Sequence, residues 1–255
     1  MQALKLAWKY LWPRHFDLAI NPRWDADYFH ASFVAYLSGA LWRVGYSENV
    51  IEHKKQANKG YDILHTHLVD NDNTLKHEVE LNLEVIRFLG GEVQEDKLEL
   101  WVGKEDNDFA EGVFNKHSLK PGELVIGLGP SGGRSSLKQW PFKSFIELGF
   151  WLKATYNARL LVVGGSGEED LVSGIESEIE GNVINVVGKT TLRQMAALLK
   201  YCHLYVGNDT SPLHIAAAMG VPVVAIFGSS CHHRFGPWGD GQKVLFKQLK
   251  CGPCS

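Results

Sequence analysis

Between residues 124 and 227, short and almost wholly apolar runs alternate with amphipathic stretches, and this alternation restricts the fold of the chain more than any other feature. The runs at 124–128, 159–163, 183–187, 204–206 and 221–227 carry Val, Ile and Leu at consecutive positions, the pattern of strands buried on both faces. The stretches at 142–156, 168–179, 192–200 and 212–219 between them have helical spacing. Such strands need helices above and below them, and each parallel connection has to cross a face of the sheet. A doubly wound, Rossmann-like α/β unit follows, with ligands expected beyond the carboxyl ends of its strands. The loops after Leu128, Val163, Val187 and Val206 are rich in Gly, Ser or Thr, so the site is expected there.

The first half repeats this pattern less completely. Residues 16–20 and 42–46 read as strands, and about 28–41 and 73–89 as helices, the second stopped by Gly90-Gly91. Residues 92–121 mix charges with scattered apolar positions, and their end reads as a linker. With 255 residues the chain has room for two domains, 1–118 and 119–255.

Charge and cysteine usage narrow the partners. With 26 basic and 29 acidic residues, net charge −3, the chain has no global positive field to hold a nucleic acid by counterion release. No window approaches the roughly 20 apolar residues of a membrane span, and the start lacks a signal-peptide pattern. Four cysteines are too few for a disulfide scaffold, so a core-stabilised cytoplasmic protein is expected. Leu4, Trp8, Leu11 and Trp12 recur at helical spacing beside Lys5, Lys9 and Arg14. That pattern fits a helix packed on its own domain or a peripheral contact with a membrane surface.

The richest loop reads Gly207-Asn208-Asp209-Thr210-Ser211-Pro212-Leu213-His214, with Gly220 closing the helix that Pro212 opens. The amides of that first turn, the helix dipole and the hydroxyls of Thr210 and Ser211 form a natural site for a diphosphate. A plain helix cap would also use residues 209–211, but it leaves His214, within the first turn, unexplained. As imidazolium, His214 can neutralise a phosphate oxygen.

The string from Asp209 to His214, followed by Ala-Ala-Ala-Met-Gly-Val-Pro-Val-Val-Ala-Ile-Phe-Gly, resembles the signature of glycosyltransferase family 9, the ADP-heptose:lipopolysaccharide heptosyltransferases. Pro130-Ser131-Gly132 followed by Lys138-Gln139-Trp140-Pro141 is similar to the family's glycine/serine loop and Lys-x-Trp-Pro motif. The resemblance implies a GT-B type α/β fold with two Rossmann-like domains and parallel sheets. It also implies that Ser131, Gly132, Lys138, Asp209, Thr210, Ser211 and His214 hold the donor diphosphate. Asp209 is itself acidic, so its charge favours organising the turn or binding a sugar hydroxyl over touching phosphate. Gly164-Gly165-Ser166-Gly167-Glu168 resembles the family's ribose-binding loop, which points to Glu168. Gly188-Lys189-Thr190-Thr191 resembles the segment lining the adenine pocket through backbone groups rather than side chains, which points to Lys189 and Thr190. Either could also be an ordinary turn.

The resemblance implies transfer of heptose from ADP-heptose to a sugar of the lipopolysaccharide inner core, with inversion and with no cofactor or metal. Developing charge on the departing ADP would be met by Lys138 and the 209–214 segment. Asp17-Leu18-Ala19-Ile20, Pro22-Arg23-Trp24-Asp25 and Arg43-Val44-Gly45-Tyr46 look like the middle of the acceptor-side domain, with Asp25 as a candidate acceptor contact. Nothing before Phe16 matches the family's opening strand and Gly-Asp loop, which carries its proposed base, and the closing helices are not matched either. The expectation is therefore an incomplete N-terminal domain with the base upstream. A nucleotide-binding module without transferase activity is the alternative. An epimerase of the same architecture would need a further set of cleft carboxylates and histidines, and none is identified.

Several patterns mislead. Gly127-x-Gly129-x-x-Gly132 matches the dinucleotide fingerprint by letter, but no helix follows directly and no acidic residue ends a second strand about 20 residues on. Asp25-Ala-Asp27 imitates a metal-binding Asp-x-Asp, yet a solvated or acceptor-facing loop fits this fold better. Cys231, Cys251 and Cys254 lack a second ligand pair and read as structural, and His65, His67, His232 and His233 read as surface histidines.

Overall fold

The computed structural model describes residues 2–70, 74–133, 135–179 and 181–249, and it divides into two compact units, Met1–Asp96 and Lys97–Ser255.

The first unit runs α1 (Gln2–Leu6), β1 (Leu18–Asn21), α2 (Ala31–Leu37), β2 (Trp42–Tyr46), α3 (Glu52–Ala57), β3 (His67–Val69) and α4 (Glu78–Phe88). Its three strands are parallel in the order β1-β2-β3, with Leu18 opposite Trp42 and Val44 opposite His67. Trp24, Val44, Tyr46, Val69, Leu81 and Val85 form its core. The Tyr46 hydroxyl donates to the Leu81 carbonyl at 2.6 Å and so ties β2 to α4. The amphipathic start of the chain is held by buried Ala7 and by Trp12, whose Nε1 donates to the Leu37 carbonyl at 2.8 Å. Leu4, Trp8 and Trp12 nevertheless stay exposed. Among the described residues no helix is long and apolar enough to cross a membrane.

The second unit contains α5 (Lys104–Lys116), β4 (Val125–Gly129), α6 (Phe142–Tyr156), β5 (Arg159–Val162), α7 (Glu169–Glu178), β6 (Val183–Asn185), α8 (Leu192–Leu199), β7 (Leu204–Asn208), α9 (Ser211–Ala218), β8 (Val223–Phe227), α10 (His232–Phe235) and β9 (Gln242–Phe246). The six strands are all parallel in the order β6-β5-β4-β7-β8-β9. One face packs Leu161, Tyr205 and Ala225 against α5, α8 and α9; the other packs Leu128, Leu160 and Val162 against α6 and α7. The chain leaves β4 in one direction for β5 and β6 and returns to its other side at β7. The topological switch point, where such sheets bind ligands, therefore lies between β4 and β7.

Five elements depart from the sequence reading. The division falls after Asp96, not after residue 118, because residues 104–116 form a helix that belongs to the second unit: Ala110 and Phe114 of α5 are buried in its core, flanked by Phe109 and Val113. Those four apolar positions form a helical stripe that surrounding charges obscure. β3 is only three residues long, α3 is Glu52-His53-Lys54-Lys55-Gln56-Ala57, and α10 is a single four-residue turn. β9 lies at the edge of the sheet with several exposed positions, so its apolar run is not continuous.

Candidate active site

The site at the switch point is organised by the last residue of β7. Asn208 is fully buried, and its Nδ2 donates to the carbonyls of Pro130 at 2.8 Å and Ser131 at 3.2 Å. Its Oδ1 accepts from the Trp140 amide at 2.9 Å. One side chain thus fixes both ends of the loop that follows β4, and that loop carries Lys138 on a short 3-10 turn (Ser136–Lys138). Lys138 Nζ reaches Asp209 Oδ2 at 2.7 Å, and His214 Nε2 lies 3.5 Å from the other carboxylate oxygen. Asp209 is only 5% exposed, whereas Lys138 and His214 retain 35% and 41%. Burial alone would raise the Asp209 pKa, but hydrogen bonds from His214, Lys138 and Ser230 outweigh it and bring the value down to about 2. The carboxylate is a buried anchor; the lysine and the imidazole it gathers keep surface for a ligand.

Helix α9 starts at Ser211 beside this cluster, with Pro212 in its first turn. Thr210 is extended and makes no side-chain cap, its hydroxyl donating instead to the Asn208 carbonyl at 3.4 Å. The plain-cap reading of 209–211 is therefore not what the structure shows. The first-turn amides take no side-chain cap from Thr210, which leaves that end of the dipole open to an anion.

A cavity of about 220 Å³ opens next to the helix start. Ser131, Glu168, Thr210 and Ser211 line its polar side, and Val163, Leu192 and Met195 its apolar side. The Ser131 hydroxyl donates to Glu168 and accepts from the Gly133 amide at 2.9 Å. Glu168 also accepts from the Gly165 amide at 2.8 Å. The loops after β4 and β5 are thereby joined through one carboxylate. Gly132 has to be glycine here, since a Cβ would stand 2.7 Å from the Ser135 carbonyl oxygen.

Ser131, Gly132, Lys138, Glu168, Asp209, Thr210, Ser211 and His214 thus come together around one crevice, while two other candidates of this unit, Lys189 and Thr190, do not line it. Lys189 folds back to donate to the Asn185 carbonyl at 3.2 Å. The Thr190 hydroxyl is buried without a hydrogen-bond partner among the described residues, and neither residue lines the cavity. The wall expected from residues 188–190 is supplied by Leu192 and Met195 of α8. Thr191 instead caps α8 reciprocally with Gln194, a Thr-x-x-Gln capping box legible in the sequence. Asp25 belongs to the first unit, paired with Arg23 at 2.7 Å in the loop after β1.

The misleading patterns also resolve. Asp27 is buried and accepts from the amides of Ala31 and Ser32 at 2.9 and 2.8 Å, so Asp25-Ala-Asp27 is not an open metal-binding pair. His65 is not a surface histidine: its half-buried ring lies against Gly45, with Nε2 3.3 Å from Ser32 Oγ. Burial, then the charge of Lys54, lowers its pKa. Among the described residues no group of three His, Cys, Asp or Glu side chains is placed to hold a metal. Cys251 and Cys254 lie outside the described residues. Asn208 and Ser230 were not singled out in the sequence; the one available signal was a polar residue ending an apolar strand directly before Asp209.

Two Rossmann-like units with parallel sheets, one bearing a crevice with Lys138 and His214 at its switch point, define a protein of GT-B type. The chain belongs to glycosyltransferase family 9 (heptosyltransferase), whose family model matches residues 5–255. It is 29% identical over 141 residues to lipooligosaccharide heptosyltransferase 2 of Campylobacter jejuni, an alignment covering 53% of this chain and 44% of that protein. The glycosyl transferase family 9 structure from Veillonella parvula superposes with a TM-score of 0.79 at 22% identity, covering 97% of this chain and 68% of that one. The structure of Escherichia coli ADP-heptose lps heptosyltransferase II gives 0.71 at 20% identity, covering 99% and 74%. The chain therefore spans less than half the length of the curated relative and about seven tenths of each solved one.

Proposed function

We propose that this chain carries the donor site of an inverting glycosyltransferase that moves heptose from ADP-heptose to a sugar hydroxyl of the lipopolysaccharide inner core. The observation that carries this reading is the convergence of Lys138 and His214 on Asp209 at the open start of α9, beside a cavity lined by Ser131, Glu168, Thr210 and Ser211. Family membership and the heptosyltransferase relative support it.

In this reading the diphosphate lies across the α9 amides, with Lys138 and His214 on its oxygens. Glu168 accepts from ribose hydroxyls, and adenine takes the apolar wall of Val163, Leu192 and Met195. The acceptor oxygen attacks the anomeric carbon from the face opposite ADP and loses its proton to a base, which we assign to no residue of this chain. As the bond to ADP breaks, negative charge grows on the diphosphate, and the preorganised cations and helix dipole stabilise that charge more than the ground state. These groups supply the positive charge in place of a metal. The protein works in the cytoplasm, and the exposed Leu4, Trp8 and Trp12 with Lys5, Lys9 and Arg14 provide a surface for peripheral contact with the membrane that holds the acceptor.

Calorimetric titration with ADP, UDP and NAD tests the reading. ADP is expected to bind selectively, about 10- to 100-fold more weakly in Lys138→Ala, where a charge-assisted hydrogen bond is lost. Equal affinity in that variant, or no ADP binding by the wild type, would reject the donor site. Binding without acceptor-dependent release of ADP from ADP-heptose would favour the nucleotide-binding module.

A further inference from the structure

Behind Gly129, which lines this cavity, lies a buried tyrosine that the reading above does not use. Tyr205 sits on β7 opposite Gly127 of β4, and two residues further along the same pair Gly207 stands opposite Gly129. The ring lies along the sheet across these glycines. A Cβ at Gly127 would meet Tyr205 Cδ2 at 2.8 Å, and at Gly207 it would meet the hydroxyl oxygen at 2.7 Å. At Gly129 the collision would be closer still, 1.7 Å from that oxygen. The ring therefore points toward the carboxyl ends of β4 and β7, and its hydroxyl ends at the last glycine pair before the ligand loops. Gly129 also lines the cavity that contains Ser131, Glu168 and Thr210.

Three glycines in two central strands weaken those strands, and a strand glycine often marks a close approach by another group. Here the space serves a ring whose hydroxyl has no hydrogen-bond partner among the described residues, although Tyr205 is completely buried. Phenylalanine would fill the same volume without a destabilising, unpaired O–H. Burial, with smaller contributions from Cys202 and Glu168, pushes the phenol far above its ordinary pKa, so the group remains an O–H donor.

We propose that Tyr205 is a donor-site residue whose hydroxyl gives its hydrogen bond to an oxygen of a bound nucleoside diphosphate. This rests on the donor-site reading above and adds a residue to it. The protein leaves the hydroxyl unpaired so that the ligand completes it, which turns a cost in the free protein into affinity on binding.

The test is Tyr205→Phe in the full chain, with ADP affinity measured by calorimetry and the ligand-free melting temperature measured alongside. The expected result is about tenfold weaker ADP binding, with a melting temperature equal to or above that of the wild type. Wild-type affinity in the variant overturns the inference and leaves the donor site standing. A lower melting temperature in the ligand-free variant also overturns it, since the hydroxyl would then be serving the protein's own packing. Absence of ADP binding by the wild type removes the donor site itself and this inference with it.

Discussion

The two units place similar residues at the ends of their strands and put them to opposite uses. After β1, Asp27 is buried and satisfied by two amides of α2 and by the Ser32 hydroxyl. Lys54 nearby is buried too, its ammonium donating to the Arg23 and Tyr46 carbonyls at 2.6 and 3.0 Å, and burial lowers its pKa to about 8. Every strong partner in that cluster comes from the protein. After β7 the carboxylate is again buried, but its partners are the side chains of Lys138 and His214, which stay partly exposed. A saturated polar cluster is a clamp; a buried anchor whose partners keep exposed surface can take a ligand. What separates them is whether charge remains to be met, not which residue types are present.

The largest effect expected from this contrast is in the clamp. Asp27→Ala removes three hydrogen bonds from a buried carboxylate and should cost about 3 kcal/mol of stability in urea denaturation, with ADP affinity unchanged. A loss of ADP affinity at a stable concentration of folded protein would erase the distinction between clamp and site.

A smaller effect belongs to the anchor. The folded pKa of Asp209 is near 2, below its ordinary 3.8. Its stabilisation is therefore complete above about pH 4 and lost as pH falls through about 2, an amount of about 2 kcal/mol. The stability gap between wild type and Asp209→Asn should close over that interval. A gap that does not change with pH would mean that the anchor is not an ion.

Smallest is Asp25. Its partly exposed pair with Arg23 should contribute less than about 1 kcal/mol, so Asp25→Ala should leave stability nearly unchanged. If Asp25 touches the acceptor, transfer in the complete enzyme should fall while ADP affinity holds; unchanged transfer would remove it from the acceptor side.

Much of the second unit was legible in the chain because its strands are buried on both faces, which leaves continuous apolar runs, and its helices carry clear starts and stops. The first unit has short strands and mixed faces, and α5 hides four apolar positions among charges. Those elements are stabilised by contacts distant in sequence, and no local pattern reports them. The crevice residues were legible as letters in three motifs, Ser131 to Pro141, Gly164 to Glu168 and Asp209 to His214. Their relation was not: Lys138 and Asp209 are 71 residues apart and meet at 2.7 Å.

From its sequence alone the chain determines a parallel, doubly wound unit with a proline-opened helix after β7, because burial on both faces and the chemistry of a first turn are local properties. Only the tertiary structure decides that Asn208 ties the β4 loop in place, that Asp209 gathers Lys138 and His214, and that the Tyr205 hydroxyl beneath Gly129 has no partner among the described residues. Each of these depends on β4 lying beside β7, and strand order is set by how the whole sheet buries its faces.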